Sequence, residues 1–230
     1  MAIRPIFIPN NTNVGVSGKL IEFKWHPGMA ISQKQKSIKE LHATAHELGI
    51  NNILEISSKS ENEIGVQLSA FNLVITNKKM GSKFTVETAF QGSKVFERGG
   101  PYVDLYGLDS IKAKKDIRLK ESGNLKCFEF FNKTFPLVPR TYFYDWLYIN
   151  ALVQNEILAS DVLKYNGFSD IEFNPKKSIN CQAHAVALYI SLHKQSLLSK
   201  ALSSSENFLV LTADHYKTQS RNIAVQDIMI

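Results

Sequence analysis

The chain has 230 residues, with 27 Lys and Arg against 21 Asp and Glu, for a formal net charge of +6. Its 44% hydrophobic and 21% charged residues exclude a disordered chain and leave enough apolar material for one well-buried domain. No window supplies the roughly 18 uninterrupted apolar residues of a membrane span, and MAIRPIFIPNN lacks the apolar core of a secretory signal, so a cytoplasmic location and no membrane partner are expected. Cys127 and Cys181 stand too far apart to suggest a disulfide framework or a metal pair. The positive balance favours an anionic partner. The lysines nevertheless fall in SQKQKSIK, NKKMGSK and IKAKKDIRLK without interleaved aromatics, a pattern shared with ordinary solvated faces.

Residues 1–30 alternate short apolar runs with Pro, Asn and Gly and predict strands and turns. A helix is predicted from Ser32 to about Leu48, with Ile38, Leu41 and Ala45 as its apolar stripe and Gly49 as its stop. Residues 53–56, 66–75 and 83–84 are strand-like, and residues 86–97 are helical up to Gly99-Gly100-Pro101. Residues 110–120 predict one exposed basic helix and CFEFF, from Cys127, a strand. Two apolar and aromatic helices are expected at 141–152 and 156–165. A short strand or loop at 170–173 precedes an apolar helix over 178–193 with Ser178 as N-cap. From Leu198 the composition turns Ser-rich, and NFLVLTA is compatible with a strand. The sum is an α+β fold, a mostly helical single domain around a small β-sheet, spanning 1–197 (1–50 as its N-terminal extension) with a tail at 198–230.

The chemistry-bearing residues concentrate between Glu55 and Lys94. Glu87, Gln91 and Lys94 lie at i, i+4 and i+7, so a helix carries them as one polar stripe between the apolar Val86, Ala89, Phe90 and Val95. An acid and an amide on a buried helix wall need partners, which a polar-ligand site supplies. Glu87 is then a candidate acid or base, or alternatively a surface acid at a helix start. Lys59, in Ser57-Ser58-Lys59-Ser60, is either an exposed loop lysine or, if desolvated, an amine for Schiff-base chemistry. In YFYDWLYI, Asp145 and Trp146 offer an acceptor and a stacking face, or simply core. FSDIEFNPKKSIN gathers Asp170, Glu172, Asn174, Lys176, Lys177, Ser178 and Asn180 before an apolar helix, where free N–H groups and two lysines suit a phosphate. Trp25-His26-Pro27-Gly28 reads as a structural turn. His42 and His46 at i, i+4 lack a third ligand, so no metal and no cofactor is expected. Phosphate-loop, dinucleotide and nucleophile-elbow patterns are absent.

In order and spacing, EISSKS, IGVQLSAF, VETAFQGSKVF and YDWLYINALVQNEILASDVLKYNGFSDIEF resemble the NADAR family over about residues 53–193. WHPGMAISQKQKSIKELH, AFQGSKVFERGGPYVDLY and DIEFNPKKSINCQA resemble the subgroup of NADAR antitoxins paired with DarT-type toxins. Two departures stand out. The family's Ser-Asn-Phe is Ser69-Ala70-Phe71 here, and NPKKSIN replaces its Tyr-Trp-Gly segment.

The resemblance implies an N-glycosidase that removes ADP-ribose from guanine bases in DNA, as antitoxin to a DarT-type toxin. ADP-ribosylated DNA would be the substrate, ADP-ribose the product, and the cognate toxin a functional partner. Carried over by position, Glu87 is the catalytic acid/base and Lys59 the amine that captures the opened ribose as an imine. Ser58, Ser69, Phe71, Gln91, Asp145, Trp146, Glu172, Ser178 and Asn180 would contact substrate. The alternatives are the same chemistry on a small metabolite, such as a riboflavin-pathway intermediate, and a non-catalytic ADP-ribose or DNA-binding module.

Overall fold

The structure is a computed structural model that describes residues 1–78 and 81–219. In chain order come β1 (Ala2–Pro9), β2 (Val16–Phe23), α1 (Ile31–Glu47), β3 (Ile53–Glu55) and α2 (Glu63–Gln67). The antiparallel pair β4 (Val74–Asn77) and β5 (Ser82–Thr85) leads into α3 (Val86–Gly92) and β6 (Lys94–Phe96). Then follow α4 (Ser110–Lys114), α5 (Arg118–Glu121), β7 (Leu125–Phe130), β8 (Lys133–Phe135), α6 (Tyr142–Gln154) and α7 (Glu156–Asp161). The described chain ends with β9 (Gly167–Ser169), α8 (Gln182–Lys194), α9 (Leu198–Leu202) and α10 (Ser205–Thr218). This is the α+β architecture expected.

The organising sheet runs β2-β1-β9-β3, with β9 antiparallel to β1 and parallel to β3. Ile6 and Phe7 are neighbours on β1, so they point to opposite faces, yet both are buried. Ile6 packs with Ile38, Leu41 and Ala45 of α1, whereas Phe7 joins the larger core of α6 and α8. The sheet is therefore the middle of three layers. Every residue from Gln182 to Leu192 on α8 is buried, as expected of a helix with no polar face.

The stripe of α1 and its stop at Gly49 (φ +81°) form as the sequence predicts. Elsewhere the structure corrects the expectation. Residues 66–75 are strand only from Val74. Before it the chain turns, with Leu73 N donating to Ser69 O (2.8 Å), and Leu68, Ala70 and Leu73 are buried by that turn. The helix from Val86 stops at Gly92, because the backbone around Ser93 pairs instead with β7, Glu129 N donating to Ser93 O at 2.7 Å. The basic segment 110–120 is two short helices, because Asp116 accepts from Arg118 N (2.9 Å) and starts a second turn.

The apolar helix starts at Gln182, not Ser178. Cys181 stands at its cap without a side-chain cap bond, and Ser178 N instead closes a turn onto Asn174 O (2.8 Å). NFLVLTA is helical within α10, which Ser204 caps through Asn207 N (3.0 Å). Phe208, Thr212, His215 and Tyr216 of α10 are buried at helical spacing, so residues 198–218 pack as part of the fold; 220–230 lie outside the described residues. Among the described residues no helix is long and apolar enough to cross a membrane.

Candidate functional site

The first turn of α3 sets the site. Thr85 and Thr88 cap it reciprocally, Thr88 N donating to Thr85 Oγ1 (3.2 Å) and Thr85 N to Thr88 Oγ1 (3.1 Å). This fixes Glu87 in the first turn, where the helix dipole favours an anion. The polar stripe then forms a chain of contacts: Gln91 Nε2 donates to Glu87 Oε1 (2.9 Å), and Lys94 Nζ to Gln91 Oε1 (2.7 Å). Glu87 and Gln91 are each only 6% exposed. Lys94 Nζ lies over the Phe90 ring, and burial pushes its pKa down. On the solvent side Lys114 Nζ stands 3.7 Å from Glu87 Oε1 and 4.9 Å from the centre of the Phe71 ring.

A cavity of about 240 Å³ opens at this point. Glu87 and Gln91 line it from α3, Phe71 from the preceding turn, and Tyr144 from α6. Asp170, Glu172, Ser178 and Asn180 line it from the segment between β9 and α8. The Tyr144 phenol is held neutral, its pKa raised well above the ordinary value by burial and then by Glu87. Asn180 Oδ1 is enclosed and meets no donor among the described residues, so it remains an acceptor for a ligand. Gln182 splints the walls together: its Nε2 donates to Ile56 O (2.6 Å) and its Oε1 accepts from Ala70 N (2.7 Å).

Behind the cavity lies a second carboxyl. Glu55, on β3, accepts from the Ser169 hydroxyl and from Ile171 N (2.8 Å), the residues on either side of Asp170. Asp170 itself accepts from Glu172 N at 3.0 Å. Burial raises both carboxyls above their ordinary range, and the charge of Glu55 raises Asp170 further. Ser169 gives its only proton to Glu55, so His42 Nε2 must donate to the Ser169 oxygen (2.8 Å); burial holds the His42 pKa down at about 4.

Six of the residues singled out from sequence thus meet at one cavity: Phe71, Glu87, Gln91, Glu172, Ser178 and Asn180. Five do not line it. Ser69 is buried one residue away, its Oγ accepting from Phe71 N (3.4 Å). Ser58 is exposed and accepts from Lys59 Nζ (3.1 Å), and Lys59 lies three residues past the Ile56 carbonyl held by Gln182. Asp145 belongs to the core, where its oxygens accept from Tyr216 OH (3.1 Å) and His184 Nδ1 (3.2 Å). Trp146 packs on Phe130 and Phe135. Asp170, Glu55 and Gln182 were missed as site residues. Asp170 carried the only signal, its place in the polar segment before α8.

A larger recess of about 840 Å³ opens on the β1–β2 side. Its charged groups, Arg4, Glu22 and Lys176, stand at its rim, and the buried His184 has both ring nitrogens engaged, with Asp145 and His215. Six of the eleven residues singled out from sequence line the smaller cavity, which makes it the candidate site. Among the described residues no group of three or more His, Cys, Asp and Glu side chains is arranged to hold a metal.

A sequence model of the DarT1-associated NADAR antitoxins matches residues 2–222, nearly the whole chain. The chain belongs to this antitoxin family. The match covers the N-terminal hairpin and α10 as well as the cavity, so the NADAR fold here includes elements that the motifs between 53 and 193 did not reach. No curated protein gives a significant match.

Proposed function

We propose that this NADAR antitoxin is an N-glycosidase that releases ADP-ribose from guanine bases in DNA and so reverses the modification made by a DarT1 toxin. One observation carries the reading: Glu87 and Asp170, from elements 83 residues apart (170 − 87), line one small cavity beside an aromatic ring and an unengaged amide oxygen. A cavity of about 240 Å³ suits the sugar at its scissile bond, not a whole dinucleotide, which leaves the bulk of a DNA substrate outside.

The groups divide the proton work. The bond from the ribose anomeric carbon to the base nitrogen breaks, and Asp170, protonated, gives its proton to the departing nitrogen. Glu87, ionised and held by Gln91, takes a proton from the water that adds to the carbon. Asp170 is reprotonated from solvent and Glu87 returns its proton there, so base and ADP-ribose leave with one water consumed. Phe71 supplies a stacking face, and Asn180 Oδ1 an acceptor for a base or ribose donor. Lys114 stands at the mouth for a phosphate. If the route passes through an imine, the Lys59 amine, its proton given up to solvent, bonds to the anomeric carbon as the base departs; the bond from that carbon to the ring oxygen then breaks, the oxygen taking a proton, and water hydrolyses the resulting imine to ADP-ribose and free lysine.

The test is incubation of the purified protein with a toxin-modified oligonucleotide, with free ADP-ribose as the readout. Release that is lost in Glu87→Gln supports the reading; stoichiometric binding without release would make the chain a reader. Faster turnover of free modified guanosine than of modified DNA would assign a small-molecule substrate. Borohydride trapping of a protein–sugar adduct, lost in Lys59→Ala, isolates the imine step.

A further inference from the structure

We propose that Glu55, which has no face on the cavity, is a positioning residue that carries the negative charge of a buried carboxyl pair and thereby keeps Asp170 protonated. The inference rests on the reading of Asp170 as the acid of the proposed reaction. The geometry separates the two groups. Glu55 is 3% exposed and surrounded by donors: the Ser169 hydroxyl, Ile171 N and the Ser57 hydroxyl. A carboxylate takes such bonds with both oxygens, whereas a protonated acid would present its own proton to one of them. Asp170 is 7% exposed and has two backbone donors, Glu172 N at 3.0 Å and Phe173 N, and no hydroxyl donor, its remaining partner being the Cys181 thiol at a long 3.9 Å.

Glu55 holds the Ser169 hydroxyl and Ile171 N on either side of Asp170, so the two acids share one buried floor. Two like charges there are costly, and the proton stays on the partner without hydroxyl donors, Asp170. The other ionisable groups around Asp170 do not reverse this. Glu172 adds negative charge and is itself paired with Lys34 of α1 at 3.2 Å. Tyr144 and Tyr148 of α6 are both held neutral by burial, and His42 of α1 reaches the pair only through Ser169. Arg4 of β1 is the one cation of the set beside Lys34; its charge is shared between Asp170 and Glu172, and its Nε donates to Ile171 O at 3.4 Å.

The experiment follows the Asp170 carboxyl carbon by NMR in protein labelled at aspartate, across pH, in wild type and in Glu55→Gln. The amide can keep the site folded, because its Oε1 accepts from Ile171 N while the Ser169 hydroxyl turns to accept from its nitrogen. The expected result is an Asp170 midpoint well above the ordinary carboxylate range in wild type, falling by about one pH unit or more in the variant. An ordinary midpoint in wild type, or one unmoved in Glu55→Gln, overturns the proposal. Should Glu55→Gln not fold, the reciprocal measurement serves: in Asp170→Asn the Glu55 carboxyl must titrate lower than in wild type, and an unmoved Glu55 overturns the pair. The functional reading is tested apart from this. The alkaline limit of ADP-ribose release should follow the Asp170 midpoint downward in Glu55→Gln. A wild-type protein with no release would sink the enzyme while the carboxyl titration still decides the pair.

Discussion

Two buried clusters in this molecule are built from the same kinds of side chain and do opposite things. In the core, Asp145, His184, His215 and Tyr216 close on one another. Val16 N donates to His215 Nδ1 (3.3 Å), and His215 Nε2 meets both His184 Nε2 (3.1 Å) and the Gln219 amide (2.7 Å). His184 in turn donates from Nδ1 to Asp145, and Tyr216 donates to the other Asp145 oxygen. At the cavity, Glu87 and Asp170 are just as buried by area, but each borders open volume. A satisfied buried carboxyl is a structural rivet; one that faces a void is available for a substrate.

The contrast can be broken experimentally, the largest effect first. Glu87→Gln or Asp170→Asn should cut ADP-ribose release by about 10²–10⁴-fold while the urea midpoint stays near that of wild type, because each removes proton transfer but no sealed contact. Asp145→Ala should do the reverse. It leaves the His184 Nδ1–H without its acceptor, removes the Asp145 bond of Tyr216, and should destabilise by about 2–5 kcal/mol in urea unfolding, with turnover per folded molecule kept. Equal loss of stability in all three variants would erase the distinction.

The smaller effects sharpen it. Folded His42 titrates at about 4 against 6.5 for the free side chain, so its contribution to stability is present above pH 6.5 and is lost as the pH falls toward 4. Between pH 7 and pH 4.5 wild type should therefore lose about 2 kcal/mol more stability than His42→Gln, measured by urea unfolding at both values. Lys114→Ala removes an exposed amine from the cavity mouth. It should change stability by less than about 1 kcal/mol and raise KM for modified DNA a few-fold, with kcat held.

Much of this was legible in the chain before any coordinates. The Glu87–Gln91 spacing predicts the contact that forms, because i and i+4 positions meet on a helix whatever surrounds it, whereas Lys94 reaches Gln91 from the start of β6, beyond the helix end. The stripe of α1 is equally local. The turn at 68–73 was misread because Leu68, Ala70 and Leu73 are buried by wrapping into the core, which leaves the same apolar trace as a strand. Asp145 and Trp146 carry two readings in the sequence, pocket or core, for a related reason. An acid and an indole among aromatics look alike whether they face a void or the interior, and only α8 and α10 decide which. Glu55, Asp170 and Gln182 are united by contacts across 112 residues or more, and no periodicity encodes those.

The parallel pairing of β3 with β9 has a consequence for synthesis. Leu54 pairs with Phe168, so the whole interval that supplies Glu87, Gln91 and Tyr144 is a single insertion between adjacent strands. Closing so long a loop is entropically costly and slow. A ribosome-bound chain that has emerged only through α7 holds Glu87 but not Asp170, so the cavity is walled on all sides only once most of the polypeptide has left the exit tunnel.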